Sequence, residues 1–236
     1  MGKRKMFGLG GIMVLVLAGG LSALGAAVKH EPNFYRQGHV PPGPGRHELA
    51  MAFVRDFGQM MASRRSTESW GCHVTEAQIN SFFEEVFSHE VEAENLRKLG
   101  ISSPSVTLDK DHLRVAFRYG SDWFSTVISY DLEIWLVPKE ANVIAVKIRS
   151  ARAGALPISS QSILQKLSEF AQRQDYKVSL YRHEGSSVAV IHLQPNENHP
   201  SAILTSLQVD SGSLSIRGKS LQLPPLVIEM PSPTPK

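Results

Sequence analysis

The sequence holds one cysteine, Cys72, among 236 residues. An intrachain disulfide is therefore excluded, and so is any metal site built from several thiolates. There is no His-Glu-x-x-His; His89-Glu90-Val91-Glu92-Ala93 fails at its last position. There is no Gly-x-Ser-x-Gly nucleophile elbow. The run Gly-Ser-Leu-Ser-Ile-Arg-Gly-Lys-Ser at 212–220 has five residues between its glycines, whereas a phosphate loop has four. It also reads as a strand rather than the opening of a helix. Ser162 and Lys166 are four apart, not the three of a Ser-x-x-Lys pair. Cys72 and His73 are adjacent, so on an extended chain they point to opposite faces and form no nucleophile–base pair. Cys72 reads as a buried structural thiol. No catalytic residue, metal site or cofactor is indicated, and the chain reads as non-enzymatic.

Net charge is also small. Lys and Arg number 25 against 22 Asp and Glu, for a formal net charge of +3. No basic stripe with interleaved aromatics exists, so nucleic acid is not an expected partner.

What the chain does have is one long uncharged run, residues 6–28, preceded by Lys3, Arg4 and Lys5. About 20 apolar residues span a bilayer as a helix. The basic flank places the N-terminus in the cytoplasm and the rest outside. The preferred reading is a retained single-pass anchor, because the run is longer than a signal-peptide core. The other reading is a cleaved signal, with small residues Gly25, Ala26 and Ala27 near the cut. The expected layout is an anchor or signal at 1–28, a Pro/Gly-rich linker at 29–45, an extracytoplasmic domain at 46–220 and a disordered Pro-rich tail at 221–236.

Within the domain, residues 48–62 carry Leu49, Phe53, Phe57, Met60 and Met61 at helical spacing, most simply a face packed on the domain, with lipid contact and Arg55, Arg64 and Arg65 near headgroups as the alternative. Thr75 with Gln78 fits a capping box opening a second helix, whose apolar face is Ile79, Phe82, Phe83, Val86 and Phe87. Strands follow. Pairing Leu108 with Leu113 places Val106 opposite Val115 and keeps one apolar face. A long strand at 125–137 pairs with 143–150. Setting Val137 against Val143 puts Glu133 opposite Lys147, Asp131 opposite Arg149, Ile134 opposite Val146 and Leu132 opposite Ile148. Charges then match on one face and aliphatics on the other. Pro157 is expected to stop the preceding strand. Residues 159–173 then form an amphipathic helix with Ile163, Leu164, Leu167, Phe170 and Ala171 on one face. Two hairpins end the domain, 177–183 with 187–193 and 203–209 with 213–217. The chain beyond residue 70 thus parses as a helix and four strands, twice.

The fold class is α+β: an N-terminal transmembrane helix, then a curved antiparallel sheet of about eight strands packed around amphipathic helices. Its dry face, with the covering helix, is the candidate lining for an apolar ligand: Ile128, Tyr130, Leu132, Ile134, Ile144, Val146, Ile148, Leu164 and Leu167.

Four short motifs carry a likeness: Pro32-Asn33-Phe34-Tyr35, Trp70 ahead of Val74-Thr75-Glu76-Ala77-Gln78-Ile79-Asn80, Ala153-Gly154-Ala155-Leu156-Pro157, and a last hairpin ending at Gly218. Over roughly residues 70–218 the chain resembles uncharacterised, membrane-anchored bacterial families with a reduced tubular lipid-binding (TULIP-like) domain. The resemblance implies a curved sheet around helices, an apolar groove and no catalytic residues. The expected function is a membrane-anchored extracytoplasmic module binding lipid or another apolar ligand. The alternative is a structural or assembly protein of the cell envelope with a protein partner and no small-molecule ligand, making contact through the wet face or the helix at Leu49.

Overall fold

The computed structural model describes residues 25–86, 89–121, 124–159, 161, 164–165, 168–169, 177–183, 186–193 and 201–221. Most of the expected anchor (6–24), nearly all of the tail, the tight turn at 184–185 and Leu167 lie outside these residues. No helix among them is long and apolar enough to cross a membrane.

The helices are α1 (Asn33–Gln37), α2 (Pro44–Ser66), α3 (Glu76–Glu85) and α4 (Val91–Lys98). The strands are β1 (Ser69–Thr75), β2 (Ile101–Asp109), β3 (His112–Tyr119), β4 (Thr126–Leu136), β5 (Val143–Ala153), β6 (Leu156–Pro157), β7 (Lys177–His183), β8 (Ser186–His192), β9 (Ala202–Asp210) and β10 (Ser213–Ser220). Residues 161, 164–165 and 168–169 are helical, as the stripe around Leu164 requires. The class is α+β and the pairing is antiparallel.

The strands form two sheets rather than one. Seven lie in a sheet ordered β2-β3-β4-β5-β8-β7 with β6 on β5, and three lie in a second sheet ordered β1-β10-β9. The last hairpin leaves the main sheet because the residues ahead of the Thr75 capping box form a full strand, β1, against β10. Trp70 opposes Gly218 in this pair, and a Cβ on Gly218 would overlap the Trp70 indole. Pro157 does not end the sheet; it pairs with Arg152 in the short β6. At an edge position a proline withholds no needed N–H.

Helix α2 is also longer than its apolar spacing suggests, with Pro44 at its first turn. There a proline loses nothing, since that N–H has no helical acceptor. Residues 29–45, expected as a spacer, hold α1 and the opening of α2. Tyr35 of α1 is 1% exposed and packs on Ala116 and Val127.

The β2–β3 register is as expected, with Leu108 opposite Leu113 and Val106 opposite Val115. The β4–β5 register holds only in part. Leu132 meets Ile148, Glu133 meets Lys147 and Ile134 meets Val146. A bulge between Asp131 and Leu132 then skips Arg149, and Asp131 faces Ser150. One extra residue on one strand re-phases everything beyond it. Arg149 rests instead against the His112 imidazole.

Three clusters fill the interior. Val74, Ile79, Val106, Leu108 and Val209 join both sheets to α3, with Phe53 of α2 against them. Ile148, Ala151, Leu164, Val178 and Ala189 close the other end of the main sheet. Tyr35, Ala116 and Val127 fix α1 to the opposite face.

Candidate functional site

The expected apolar lining divides between core and intermediate burial. Leu164 is 1% exposed and Ile148 5%, and Tyr130 and Leu132 pack against their cluster. Ile128, Ile134, Ile144 and Val146 are half-buried on β4 and β5. None of these four lines a cleft described below. The Tyr130 phenol sits above its ordinary ionisation range because burial disfavours the anion.

A polar cleft lies on the other face, beside the segment that follows the apolar run. Its volume is about 280 Å³, and its walls include His30, Pro32, Phe34, Arg114, Ser129, Tyr130, Asp131, Ser150 and Arg152. The bulge builds it. In an unbroken register Asp131 would face Arg149, but here its Oδ1 is enclosed without a hydrogen-bond partner. Arg114, directly opposite Asp131 across β3 and β4, pairs with Asp109 at 2.6 Å and lies 4.6 Å from the Phe34 ring centroid. Its Nε–H is likewise enclosed and without an acceptor. Sequence reasoning saw Asp131 only as half of a surface ion pair and did not single out Arg114, Arg152 or His30 for a site. The bulge does leave a trace, since Ile148 and Ala151 face one cluster with two polar residues, Arg149 and Ser150, between them, but a reading by strict alternation passes over it.

One rim of the cleft is the root of the N-terminal segment. The Ala155 N–H donates to Ala27 O at 2.7 Å, and the Gly154 N–H to Val127 O at 2.7 Å. Gly154 has φ +61°, and a Cβ there would overlap the carbonyl oxygens of Ala27 and Val28. Thr126 Oγ1 donates to Val28 O at 2.5 Å and Lys29 Nζ to Ser125 O at 3.1 Å. Arg118 pairs with Glu31, and the Tyr35 hydroxyl donates to Ser103 O at 3.0 Å. The body is therefore clamped directly behind residue 28. Phe124, 91% exposed, is next in sequence to Ser125 at this root.

The third feature is α2. Ala50 and Met60 face inward, whereas Met51 (45% exposed), Val54 (39%), Phe57 (40%) and Met61 (44%) form an open apolar stripe. Spacings of three and four residues place these four on one side of the helix, on which the buried Ala50 stands four residues before Val54, so the stripe runs along the border of the packed face. Arg65 and the exposed Arg55 flank them. The sequence expected Phe57 and Met61 on the packed face; the true inward face is centred on Phe53 and Met60, and those two spill over its edge.

The motif Thr75–Asn80 has a structural role. Thr75 and Gln78 form the expected capping box. Glu76 accepts from the Leu108 N–H at 2.7 Å, and Asn80 both donates to and accepts from the Val106 backbone at 2.8 Å. Residues four apart on a helix rise about 6 Å, close to the span of about 6.7 Å between alternate strand residues. One helix face thus satisfies the outer edge of β2. Among the described residues no group of three or more His, Cys, Asp and Glu is placed to hold a metal ion.

Comparison with known proteins finds no matching family, no matching curated protein and no matching solved structure.

Proposed function

We propose that the chain is a membrane-held, non-catalytic interaction module of the cell envelope that docks a protein partner through the open face of α2. One observation carries this reading. Leu164 is buried against Ile148 on the dry face, beside a cleft of about 240 Å³ lined also by Gln161, Leu180, Tyr181 and Arg182, while α2 leaves four large apolar side chains exposed in a row. A contiguous exposed apolar patch of this kind supports a contact surface. The stripe covers about 15 Å of helix, the length over which an amphipathic partner helix reads positions i, i+3 and i+7. Arg55 and Arg65 favour acidic residues on that partner. The apolar run 6–28 and the clamp behind it support attachment to a membrane, with the body held at its surface.

The test is site-specific photo-crosslinking of the full chain in its own membranes. A photoreactive residue at Val54 or Met61 is expected to crosslink to an amphipathic segment with acidic flanks, mapped by mass spectrometry. The same probe at Gln59, off the stripe, is expected to give none. Val54→Glu with Met61→Glu is expected to abolish association while leaving the thermal midpoint unchanged. A lipid retained by the chain, with no crosslink at the stripe, would establish the apolar-ligand reading instead.

A further inference from the structure

We propose that the outer edge of β7 takes up an extended acidic segment of a partner protein as an added antiparallel strand. The inference stands apart from the contact at α2 and concerns the edge of the main sheet opposite β2.

A strand at the rim of a sheet presents a row of backbone N–H and C=O groups to whatever can pair with them. Two rims are bonded from within the chain. Asn80 and Glu76 of α3 serve Val106 and Leu108 on β2. On β9 the Asn142 side chain donates to Ala202 O at 2.7 Å and accepts from the Leu204 N–H at 2.8 Å. β7 ends the main sheet on the other side, and among the described strands it pairs with β8 alone. The hairpin decides which of its residues point outward. In β2–β3 two residues separate Asp109 from His112, and the outward residues, Leu108 and Val106, stand one and three places before Asp109. In β7–β8 two residues separate His183 from Ser186, so Arg182, Leu180 and Val178 turn their backbone groups outward. Among the described residues no hydrogen bond from outside β8 reaches these three. Val178 packs with Leu164, and alternation puts Leu180 on the same face. Leu180 and Tyr181 are nonetheless exposed, and with Gln161, Leu164 and Arg182 they wall the cleft of about 240 Å³. An added strand sets every second side chain on that face, so one apolar side chain enters the cleft; pockets for alternate side chains are what give strand addition its specificity. Charge selects the occupant. β7 carries Lys177 and Arg182 and no acid, and β8 holds neither Asp nor Glu. A second copy of β7 brings basic strand to basic strand, whereas an acidic segment meets both cations.

The full chain in mild detergent is titrated into a fluorescein-labelled peptide of alternating valine and glutamate, as long as β7, and followed by anisotropy. Saturable binding is expected, about tenfold tighter than that of the valine–lysine analogue. In an antiparallel pair the residue opposite Leu180 turns its own N–H to β7 and its side chain to the face that holds the cleft. N-methylation of the valines is therefore expected to abolish binding, and N-methylation of the glutamates to leave it unchanged. Leu180→Pro removes an outward N–H that β8 does not use, and is expected to weaken binding about tenfold. Arg182→Glu, at an exposed position, is expected to reverse the preference between the two peptides with an unchanged circular dichroism spectrum. Val54→Glu with Met61→Glu is expected to leave the peptide bound; its loss there would assign the peptide to α2 and overturn the site. No saturable binding, equal binding of the acidic and basic peptides, loss on methylating the glutamates instead of the valines, or an indifferent Arg182→Glu would overturn it as well. A dimer of the parent chain that Leu180→Pro dissolves would overturn the choice of partner in favour of a second copy.

Discussion

Asn80 offers the sharpest test of how the two sheets are joined. It is 3% exposed. Its amide donates to Val106 O and accepts from Val106 N, both at 2.8 Å. Val106 opposes Val115, but its own N–H and C=O turn away from β3 toward α3, as alternate residues of an antiparallel strand do. Those two backbone groups therefore depend on Asn80. Asn80→Ala strands both. At about 1–3 kcal/mol for each buried unsatisfied group, the expected loss is about 2–6 kcal/mol. That is a large part of an ordinary domain's total of about 5–15 kcal/mol. Asn80→Asp adds a signature that lost packing would not produce. At neutral pH its carboxylate still accepts from Val106 N–H but repels Val106 O, so it is expected to be no better than alanine. As pH falls and the carboxyl gains a proton it can donate to Val106 O, and the deficit relative to the parent chain should shrink. The assay is urea unfolding of the full chain in mild detergent, followed by circular dichroism, at neutral and acidic pH. An Asn80→Ala chain within about 0.5 kcal/mol of the parent, where unremarkable surface changes fall, would refute the edge-capping argument.

Two further outcomes follow from burial. Leu164→Ala should cost about 2–5 kcal/mol in the same unfolding assay, because Leu164 is fully enclosed by Ile148, Ala151, Val178 and Ala189. A loss below about 1 kcal/mol would mean that the position tolerates a void and that the dry face is open. Burial raises the Tyr35 phenol above its ordinary 10.0, an effect only partly offset by the nearby Arg118 charge. The folded chain then holds that proton more tightly than the unfolded one. The contribution is complete below pH 10 and is lost as pH rises through the raised folded value. Ultraviolet titration should show late-ionising tyrosine in the folded protein, with Tyr35→Phe removing one such group; ordinary ionisation of every tyrosine would contradict the burial.

Much of the local structure was legible because short-range physics sets it. Thr75 and Gln78 are three residues apart, and the capping box they form needs nothing else. Leu108 and Leu113 flank a tight turn, so alternation alone gives their register. The candidate cleft was not legible. It depends on a bulge that moves Asp131 from Arg149 to Ser150, whose one trace in the sequence is the three-residue spacing of the inward Ile148 and Ala151. The open stripe on α2 was half legible: its apolar residues stand out, but which of them face inward depends on what α3 and β1 present.

The sequence by itself determined the α+β class, the antiparallel hairpins, the start of α3 and the upper half of the β4–β5 register, because each rests on neighbours within a few residues of one another or on a single turn. The tertiary structure alone decided that β1 recruits β10 into a second sheet, that residues 27–37 clamp onto β2, β3, β4 and the turn after β5, and that Asp131 Oδ1 and Arg114 Nε are left without hydrogen-bond partners. Each of those outcomes joins chain segments far apart in sequence, where the competing partners differ by small packing and hydrogen-bond energies that no local pattern records.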